Sequence, residues 1–329
     1  MIRFFANADY DFIGFRKYAY GVTAAILIPG MLLTAIRGLN YSIEFTGGTM
    51  VQVQARQSTP VGQLRDALDR GGLRGAEITA FGTAGTEYAV RARLAGGAQA
   101  TEQEAQAVAA AVTGALNQAF GEGAFTLRSR EAVGPRVGGE LRQRALLSIL
   151  ASFVVVLVYL AYRFEWRFGL AAVIATAHDI LTTIAFITAM RLEVSLVVVS
   201  GILTMVGYSL NDTIIIFDRT RENLHKYKRE DLGEILNRSI NETLPRSILT
   251  HGTTMAALLA LLIFGGEVIR PFSWVMLFGV FTGTFSSIYI AAPILLLIER
   301  KWPGKDARGV KARVAPAHHL HDASAAPTS

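Results

Sequence analysis

Six apolar runs, each close to the length that crosses a membrane, constrain this chain more than any other feature. A membrane-spanning helix needs about 20 mainly apolar residues, because each residue advances about 1.5 Å along its axis. Only 18% of the residues are charged and 51% are hydrophobic, whereas about 25% are charged in soluble domains. We therefore predict a polytopic α-helical membrane protein with six transmembrane helices. The runs cover residues 18–36, 145–162, 168–190, 194–217, 247–266 and 272–298.

The distribution of Lys and Arg predicts the orientation of these spans. Segment 1–17 carries three basic residues, and the connection 218–245 between the fourth and fifth spans carries six. The short connections on the opposite side carry only Arg191 and Arg270. Basic residues in short loops stay on the cytoplasmic side. Both termini are therefore predicted to be cytoplasmic, with 218–245 as a cytoplasmic loop.

Residues 37–144, between the first and second spans, have the pattern of a separate α+β domain on the extracytoplasmic side. Apolar periodicity and Gly-rich turns predict the order βαββαβ, which is that of a ferredoxin-like sandwich. The domain contains no His and no cluster of acidic residues, so a binding or mechanical role is predicted for it. Its predicted strands are 50–55, 77–81, 87–93 and 125–130, and its helices begin near residue 61 and cover 101–120.

Residues 145–300 are assigned to the second to sixth spans and their connections, and residues 301–329 to a basic tail predicted to be disordered and cytoplasmic. The net charge is +6, but basic residues directly after an apolar run are typical of a membrane stop, so no nucleic acid partner is predicted. The absence of Cys excludes disulfides and thiolate metal sites. The tail cluster of His318, His319 and His321 lacks further ligands at suitable spacing, so no metal site is predicted.

Three spans contain polar residues where a lipid-facing helix would be apolar. A charge at the centre of a span costs about 2.5–3.5 kcal/mol on insertion scales, so such residues usually face a bundle interior and a partner. Helical spacing places them on three stripes that are best satisfied by facing one another. The candidates are His178 and Asp179 in the third span, Ser209, Asn211 and Asp212 in the fourth, and Arg246, Thr250, His251, Thr253 and Thr254 at the head of the fifth.

A pairing of Asp212 with Arg246 has two interpretations. Burial disfavours the charged form of a carboxylate and a nearby Arg favours it, so a small movement of Arg246 would switch Asp212. This arrangement suits a proton relay, which Asp179 would extend. The alternative is an inert buried pair that only sets the register of the helices. His178 fits either the relay or a hydrogen bond to the backbone.

The sixth span contains a stripe of small residues, Gly279, Gly283, Ser287 and Ala291, at every fourth position. Such stripes permit two helices to approach closely. The sequence leaves open whether the neighbour belongs to this chain or to a partner.

A series of motifs in a fixed order resembles a known family. Each motif is short, but their order over residues 9–300, in a six-span frame with one large domain, is specific. It resembles SecF, the protein-export membrane protein family that belongs with SecD to the resistance-nodulation-division (RND) superfamily. The motifs are Tyr10-Asp-Phe-Ile-Gly14, Phe45-Thr-Gly-Gly48, Val133-Gly134-Pro135 with Gly139-Glu-Leu141, His178-Asp179, Gly207-Tyr-Ser-Leu-Asn-Asp212 with Asp218-Arg-Thr-Arg-Glu222, and Arg238-Ser-Ile-Asn-Glu-Thr243.

The resemblance implies a component of protein export in the bacterial cytoplasmic (inner) membrane rather than an enzyme. It implies pairing with SecD into a twelve-helix unit, association with the SecYEG channel, YajC as a further candidate partner, and contact with unfolded preprotein and membrane lipids. The coupling ion would be the proton, or Na⁺ as in some marine relatives, with no other cofactor. The functional Asp and Arg of the family match Asp212 and Arg246.

Two further features bear on the expected coupling ion and on the attachment of the domain. His251 departs from the family pattern and places a titratable group near the proposed path, so the coupling ion stays open. Gly47 and Gly48 join the first span to the domain, and a turn with positive φ at Gly48 would not accept a β-branched residue.

Two other functions fit parts of the sequence. The chain has about half the architecture of a proton-coupled RND transporter of small molecules or lipids. Asp179 and Asp212, on adjacent spans, could also form the proton-sharing pair of an intramembrane aspartyl protease, although His178 and Asn211 stand where the usual protease motifs have other residues.

Overall fold

The computed structural model describes residues 8–81, 85–92, 102–133 and 135–302. Gly134 and the predicted tail from residue 303 onward, with its His cluster, lie outside the described residues. In chain order the elements are α1 (Arg16–Arg37), β1 (Asn40–Tyr41), α2 (Ile43–Thr46), β2 (Gly48–Ala55), α3 (Val61–Arg70), β3 (Glu77–Phe81), β4 (Glu87–Ala92), α4 (Glu102–Phe120), β5 (Phe125–Val133), α5 (Pro135–Arg163), α6 (Trp166–Ala189), β6 (Glu193–Val194), α7 (Leu196–Lys226), α8 (Leu232–Phe264), α9 (Gly266–Ser286), a π-helical segment (Ser287–Ala291) and α10 (Ala292–Lys301).

Among the residues that the structure describes, six helical stretches are long and apolar enough to cross a membrane, as predicted. Five of them lie within α1, α5, α6, α7 and α8, and the sixth extends continuously through α9, the π-helical segment and α10. The apolar runs predict the number of spans because lipid-exposed helices must satisfy their backbone groups internally and cover them with apolar side chains.

The helices extend further than the apolar runs. The predicted loop 218–245 is wrong as a loop: α7 continues to Lys226 and α8 begins at Leu232. A capping box of Asp231 and Glu234 begins α8 well before its apolar part. The predicted domain boundary at residue 144 also falls inside a helix, because α5 begins at Pro135. Hydropathy detects contact with lipid, whereas polar helical turns outside the membrane have no apolar signal.

The α+β domain has the predicted βαββαβ order. In the described part of the domain, four antiparallel strands lie in the order β3-β4-β2-β5, which is the ferredoxin-like arrangement. Alternate residues of β2 are buried, and Val51 pairs with Val90 of β4 and Arg130 of β5. Helices α3 and α4 contribute Leu64, Leu68 and Leu116 to the core beneath the sheet.

Short contacts that the sequence did not predict join this domain to the membrane helices. Strand β1 pairs in parallel with β6, which lies between α6 and α7. The carboxylate of Glu44 accepts a hydrogen bond of 2.6 Å from the backbone N–H of Leu196, at the beginning of α7. Arg91 of β4 forms an ion pair with Glu193 of β6. The domain is therefore held at the end that α6 and α7 share.

The small-residue stripe of the sixth span packs within the chain. A Cβ atom added at Gly279 would lie 2.1 Å from Cγ of Met205 in α7, and one added at Gly283 would lie 2.9 Å from Cβ of Ser209. These distances are too short for any side chain. The stripe therefore permits α9 to approach α7 closely, which answers the question that the sequence left open.

Candidate functional site

Asp179 lies in α6 at the centre of the helix bundle and has no exposed surface. Its Oδ2 atom accepts hydrogen bonds from Ser209 Oγ at 2.5 Å and from Ser286 Oγ at 2.8 Å. Its Oδ1 atom lies 3.0 Å from Nδ1 of His178. Three polar groups from three helices thus surround one carboxylate, which is the arrangement a buried charge requires.

Asp212 lies in α7, one helical turn after Ser209, and is 2% exposed. Its Oδ1 atom accepts a hydrogen bond of 2.5 Å from Ser247 Oγ in α8. Its Oδ2 atom is buried and has no hydrogen-bond partner among the residues that the structure describes. Buried carboxylate oxygens are normally hydrogen-bonded, so this oxygen is open to a further donor.

Hydroxyl groups connect the surroundings of the two carboxylates. Ser286, which binds Asp179, precedes Ser287, and Ser287 Oγ lies 2.7 Å from Thr213 Oγ1, next to Asp212 in the sequence. The α-helix changes to a π-helix at Ser287. π-helical turns inside α-helices are rare in proteins as a whole, but those that occur often lie at functional sites. Here the π-helical turn accompanies two consecutive serines that both bond to polar residues of the bundle interior.

A second polar group lies beside Asp212. His251 of α8 is buried, and its Nδ1 atom lies 2.9 Å from Thr284 Oγ1 of α9. The ring of Tyr208 lies 5.3 Å from the His251 ring, and its hydroxyl donates to Thr254 Oγ1 at 3.0 Å. The Tyr208 hydroxyl also lies 3.3 Å from the backbone carbonyl of Thr250, which accepts a hydrogen bond from it. Thr250 therefore contributes its backbone to this group rather than its side chain.

Three candidate residues lie outside this arrangement. Arg246, Asn211 and Thr253 are exposed on the surface of the chain. The expected direct pairing of Asp212 with Arg246 is wrong: Arg246 is within electrostatic range of the carboxylate, but the bond is made by Ser247. Thr253 donates only to carbonyl groups of its own helix. Consecutive residues of a helix point about 100° apart, so Arg246 and Ser247 cannot both face α7.

The sequence reasoning missed several hydroxyl residues of the site, namely Thr213, Ser247, Thr284, Ser286 and Ser287. Serine and threonine are common in membrane helices and often bond to their own backbone, so they gave little signal individually. A search for hydroxyl residues on the faces opposite Asp179 and Asp212 would have indicated the sixth span. In the sequence, Ser287 is notable only as part of the small-residue stripe of the sixth span.

This site consists of two separately bonded carboxylates within a layer of hydroxyl and imidazole groups. All of these groups can take part in hydrogen bonds, and the carboxyl and imidazole groups can also bind and release a proton. No hydrogen bond joins Asp179 to Asp212 in the described structure, and each has its own donors. Within the described ranges no group of three His, Asp or Glu residues could hold a metal ion.

The second candidate motif lies where α1 meets the domain. Gly47 and Gly48 have positive φ angles of 69° and 125°, which residues with side chains rarely adopt. Phe45 is buried against Val194 and Val198 of the α6–α7 end. A Cβ atom added at Gly138 of α5 would lie 3.0 Å from the Gly47 backbone nitrogen. Pro135 begins α5, which positions Gly138 for this contact.

The fold and the buried carboxylate layer define a multi-pass membrane protein of the transport class. Residues 112–301 match the C-terminal domain of the protein export membrane proteins SecD and SecF, and residues 33–59 match the SecD/SecF GG motif. The protein translocase subunit SecF of Gemmatimonas aurantiaca is 54% identical over 95% of both chains. That of Escherichia coli O157:H7 is 36% identical over 89% of this chain and 88% of its own. The chain belongs to the SecF family of protein translocase subunits.

Solved structures agree with this assignment. The crystal structure of SecDF from Thermus thermophilus, described as a translocon-associated membrane protein, matches 89% of this chain with a TM-score of 0.78 and 33% identity. A crystal structure of SecDF in a super-membrane-facing form matches 90% with a TM-score of 0.63. This chain spans 39% of each SecDF chain.

Proposed function

We propose that this chain is one half of a SecDF-type unit and uses an ion gradient to drive or complete protein export through the SecYEG channel. The observation that carries the proposal is the buried layer around Asp179 and Asp212, in the middle of the membrane helices, with one carboxylate oxygen lacking a partner in the described structure. An elementary charge that crosses 100 mV releases about 2.3 kcal/mol. Proton movement through this layer would supply energy of that order to a conformational change.

The exposed surface of the membrane helices supports the proposal that a second subunit completes the unit. In the apolar 18-residue stretches of α1 and α5, only 6% of the residues are buried within this chain. In that of α8, 17% are buried. Arg246 lies on the exposed side of α8, where a charged residue in a membrane needs a partner. We propose that SecD covers this surface and provides that partner. A small-molecule or lipid transporter of the RND type would need a similar second half.

In the proposed cycle, the ionised Asp212 accepts a proton and its buried charge is removed. Ser247 then loses a charge-assisted hydrogen bond, which is stronger than a bond to a neutral group. The contact between α7 and α8 is therefore weaker in the protonated state. Asp179, His178 and Ser209 would connect this event to α6 and α9. Protons are the proposed ion, with Na⁺ as the alternative, and no other cofactor is proposed.

The proposed location is the bacterial inner membrane, with both termini in the cytoplasm and the α+β domain outside. The basic connection between α7 and α8 supports this orientation through the positive-inside rule. Preprotein, YajC and lipids complete the proposed set of partners. The mechanical attachment of the domain at β6 is compatible with a domain that holds an emerging chain.

The test is export into inverted membrane vesicles that contain this chain and its SecD partner. Asp212→Asn keeps the shape of the side chain and its acceptor for Ser247 but cannot take up a proton. We expect it to abolish the part of the export rate that a protonophore abolishes in the wild type. The matched control is Asp218→Asn on the same helix, where an exposed carboxylate pairs with Arg163 at 2.9 Å.

A normal gradient-dependent rate in Asp212→Asn vesicles would contradict the proposed role of Asp212. Gradient-driven uptake of a small molecule by the purified pair, with no effect on export, would favour the RND transporter. Peptide cleavage that disappears in Asp179→Ala would favour the protease, although the separate donors of the two carboxylates do not resemble a pair that shares one proton.

A further inference from the structure

A cavity of about 620 Å³ lies between the α+β domain and the ends of the membrane helices. This volume is within the range of about 300–1,000 Å³ that small-molecule sites occupy. Among the described residues, its lining includes four arginines, Arg37, Arg74, Arg91 and Arg191, but only one acidic residue, Glu77. The arginines come from four different parts of the chain, so the fold, and not a local basic run, brings them together.

The charge of these arginines is only partly balanced. Arg91 lies against Glu77 and Glu193, so its charge is satisfied by the protein. The guanidinium groups of Arg37, Arg74 and Arg191 form no hydrogen bond or ion pair with any residue that the structure describes. These three side chains are exposed to solvent, and a cleft lined by charges of one sign raises the local concentration of ions of the opposite sign. The cavity is therefore suited to a negatively charged ligand.

The backbone of Arg191 gives independent support. It has φ 52° and is the only residue other than glycine with positive φ among the described residues. Arg191 occupies the position after helix α6 where its N–H bonds to Thr188 O at 3.2 Å and the N–H of Leu192 bonds to Ile187 O at 3.0 Å. Glycine is the usual residue at this position of a Schellman motif. An Arg in this sterically costly place points to a use for its side chain.

The depth of the cavity indicates where the anion comes from. Arg37 is the last residue of span α1, and Arg191 follows the end of span α6. Both therefore lie where the hydrocarbon core ends and lipid headgroups begin. Guanidinium groups bind phosphate oxygens in a bidentate manner, so a lipid phosphate at this depth matches the side chains that line the cavity.

We propose that this cavity binds the phosphodiester headgroup of an anionic phospholipid, in the leaflet on the side of the α+β domain. Arg37 and Arg191 would hold the phosphate from the membrane side and Arg74 from the domain side. A bound lipid would therefore bridge the domain and the membrane helices. The proposal does not depend on the proton relay.

The test measures thermal unfolding of the purified full chain in neutral detergent with added phosphatidylglycerol or phosphatidylcholine. We expect phosphatidylglycerol to raise Tm and phosphatidylcholine to raise it much less. Arg191→Gly removes the guanidinium and places at this position a residue that adopts positive φ without strain. It should leave Tm without lipid unchanged or higher and weaken the apparent affinity for phosphatidylglycerol about tenfold. Arg74→Gln, on the domain side, should weaken it similarly.

Arg65→Gln is the control, since Arg65 is an exposed arginine of α3 outside the cavity lining. An equal response to phosphatidylglycerol in the wild type, Arg191→Gly and Arg74→Gln would overturn the proposal. Inorganic phosphate that protects as well as the lipid, with the same sensitivity to Arg191→Gly, would overturn the lipid assignment. So would stronger protection by a Glu-rich peptide, which would identify an acidic polypeptide as the ligand.

Discussion

Ser247 Oγ donates a hydrogen bond of 2.5 Å to Asp212 Oδ1, although the residue before it, Arg246, carries the charge opposite to that of Asp212. The hydroxyl faces α7 and the guanidinium side chain is exposed on the outer side of α8. Within this chain Asp212 is thus stabilised by a neutral donor. The positive charge nearby remains available to a partner chain.

Ser247→Ala should destabilise the bundle and impair export. The change leaves Asp212 Oδ1 buried without its donor, and an unsatisfied buried group costs about 1–3 kcal/mol. Thermal unfolding of the purified protein and gradient-dependent export in vesicles measure the two effects. Ser247→Thr keeps the hydroxyl and should retain most of both. Equal stability and export in Ser247→Ala and the wild type would show that the bond has no role.

Gly283→Ala should separate α9 from α7 at the level of Asp179. The new Cβ atom would lie 2.9 Å from Cβ and 3.0 Å from Oγ of Ser209, the residue that donates to Asp179. Overpacking of this kind costs about 1–3 kcal/mol, and we expect lower Tm together with reduced export. Gly252→Ala in α8 is the control, because no atom lies within 4 Å of its added Cβ. Indistinguishable results for the two variants would argue against close packing at Gly283.

Gly48→Val should disturb the attachment of the α+β domain. Its φ of 125° is strained for a β-branched residue, at a cost of about 1–3 kcal/mol. We expect faster limited proteolysis of the domain and slower export. Gly62→Val is the matched control, since Gly62 is exposed in α3 of the same domain with no neighbour within 4 Å of an added Cβ. A proteolysis pattern identical to that of the wild type would refute the requirement for glycine.

Glu193 gives a pH dependence to the attachment of the domain. Its burial raises the pKa of its carboxyl above the ordinary value of 4.5, and the nearby Arg91 opposes this only in part. The folded state therefore binds a proton more readily than the unfolded state, and its stability should fall as pH rises from about 4.5 through the raised pKa. Glu193→Gln should lack this slope. The difference in Tm between wild type and variant, measured against pH, checks the direction of this change. A wild type that gains stability relative to the variant as pH rises above about 4.5 would contradict it.

The sequence predicts the fold well wherever a pattern repeats. Apolar runs locate α1 and α6 nearly to the residue, and the alternation of Val51 and Val53 locates a strand of the domain. The ends of α7 and α8 were not predictable from hydropathy, because those turns are polar and lie outside the apolar runs. Strand β1 has two residues, and no pattern exists at that length.

The candidate site was predictable in part. Asp179, Ser209 and Asp212 share the interior because helical periodicity determines their faces. The partner of Asp212 was predicted incorrectly, since charge suggested Arg246 while a rotation of about 100° placed Ser247 in contact. The π-helical segment at Ser287 has no recognisable sequence signal, so the contribution of Ser286 and Ser287 required the structure. The functional roles of these residues remain predictions.

The parallel pair of β1 and β6 has a mechanical consequence. Strand β6 lies between α6, which carries Asp179, and α7, which carries Asp212. A force on β1 would therefore act on both carboxylate-bearing helices, through a pair of strands only two residues long. If α7 shifted against α6, the same pair of strands would carry that displacement to the domain.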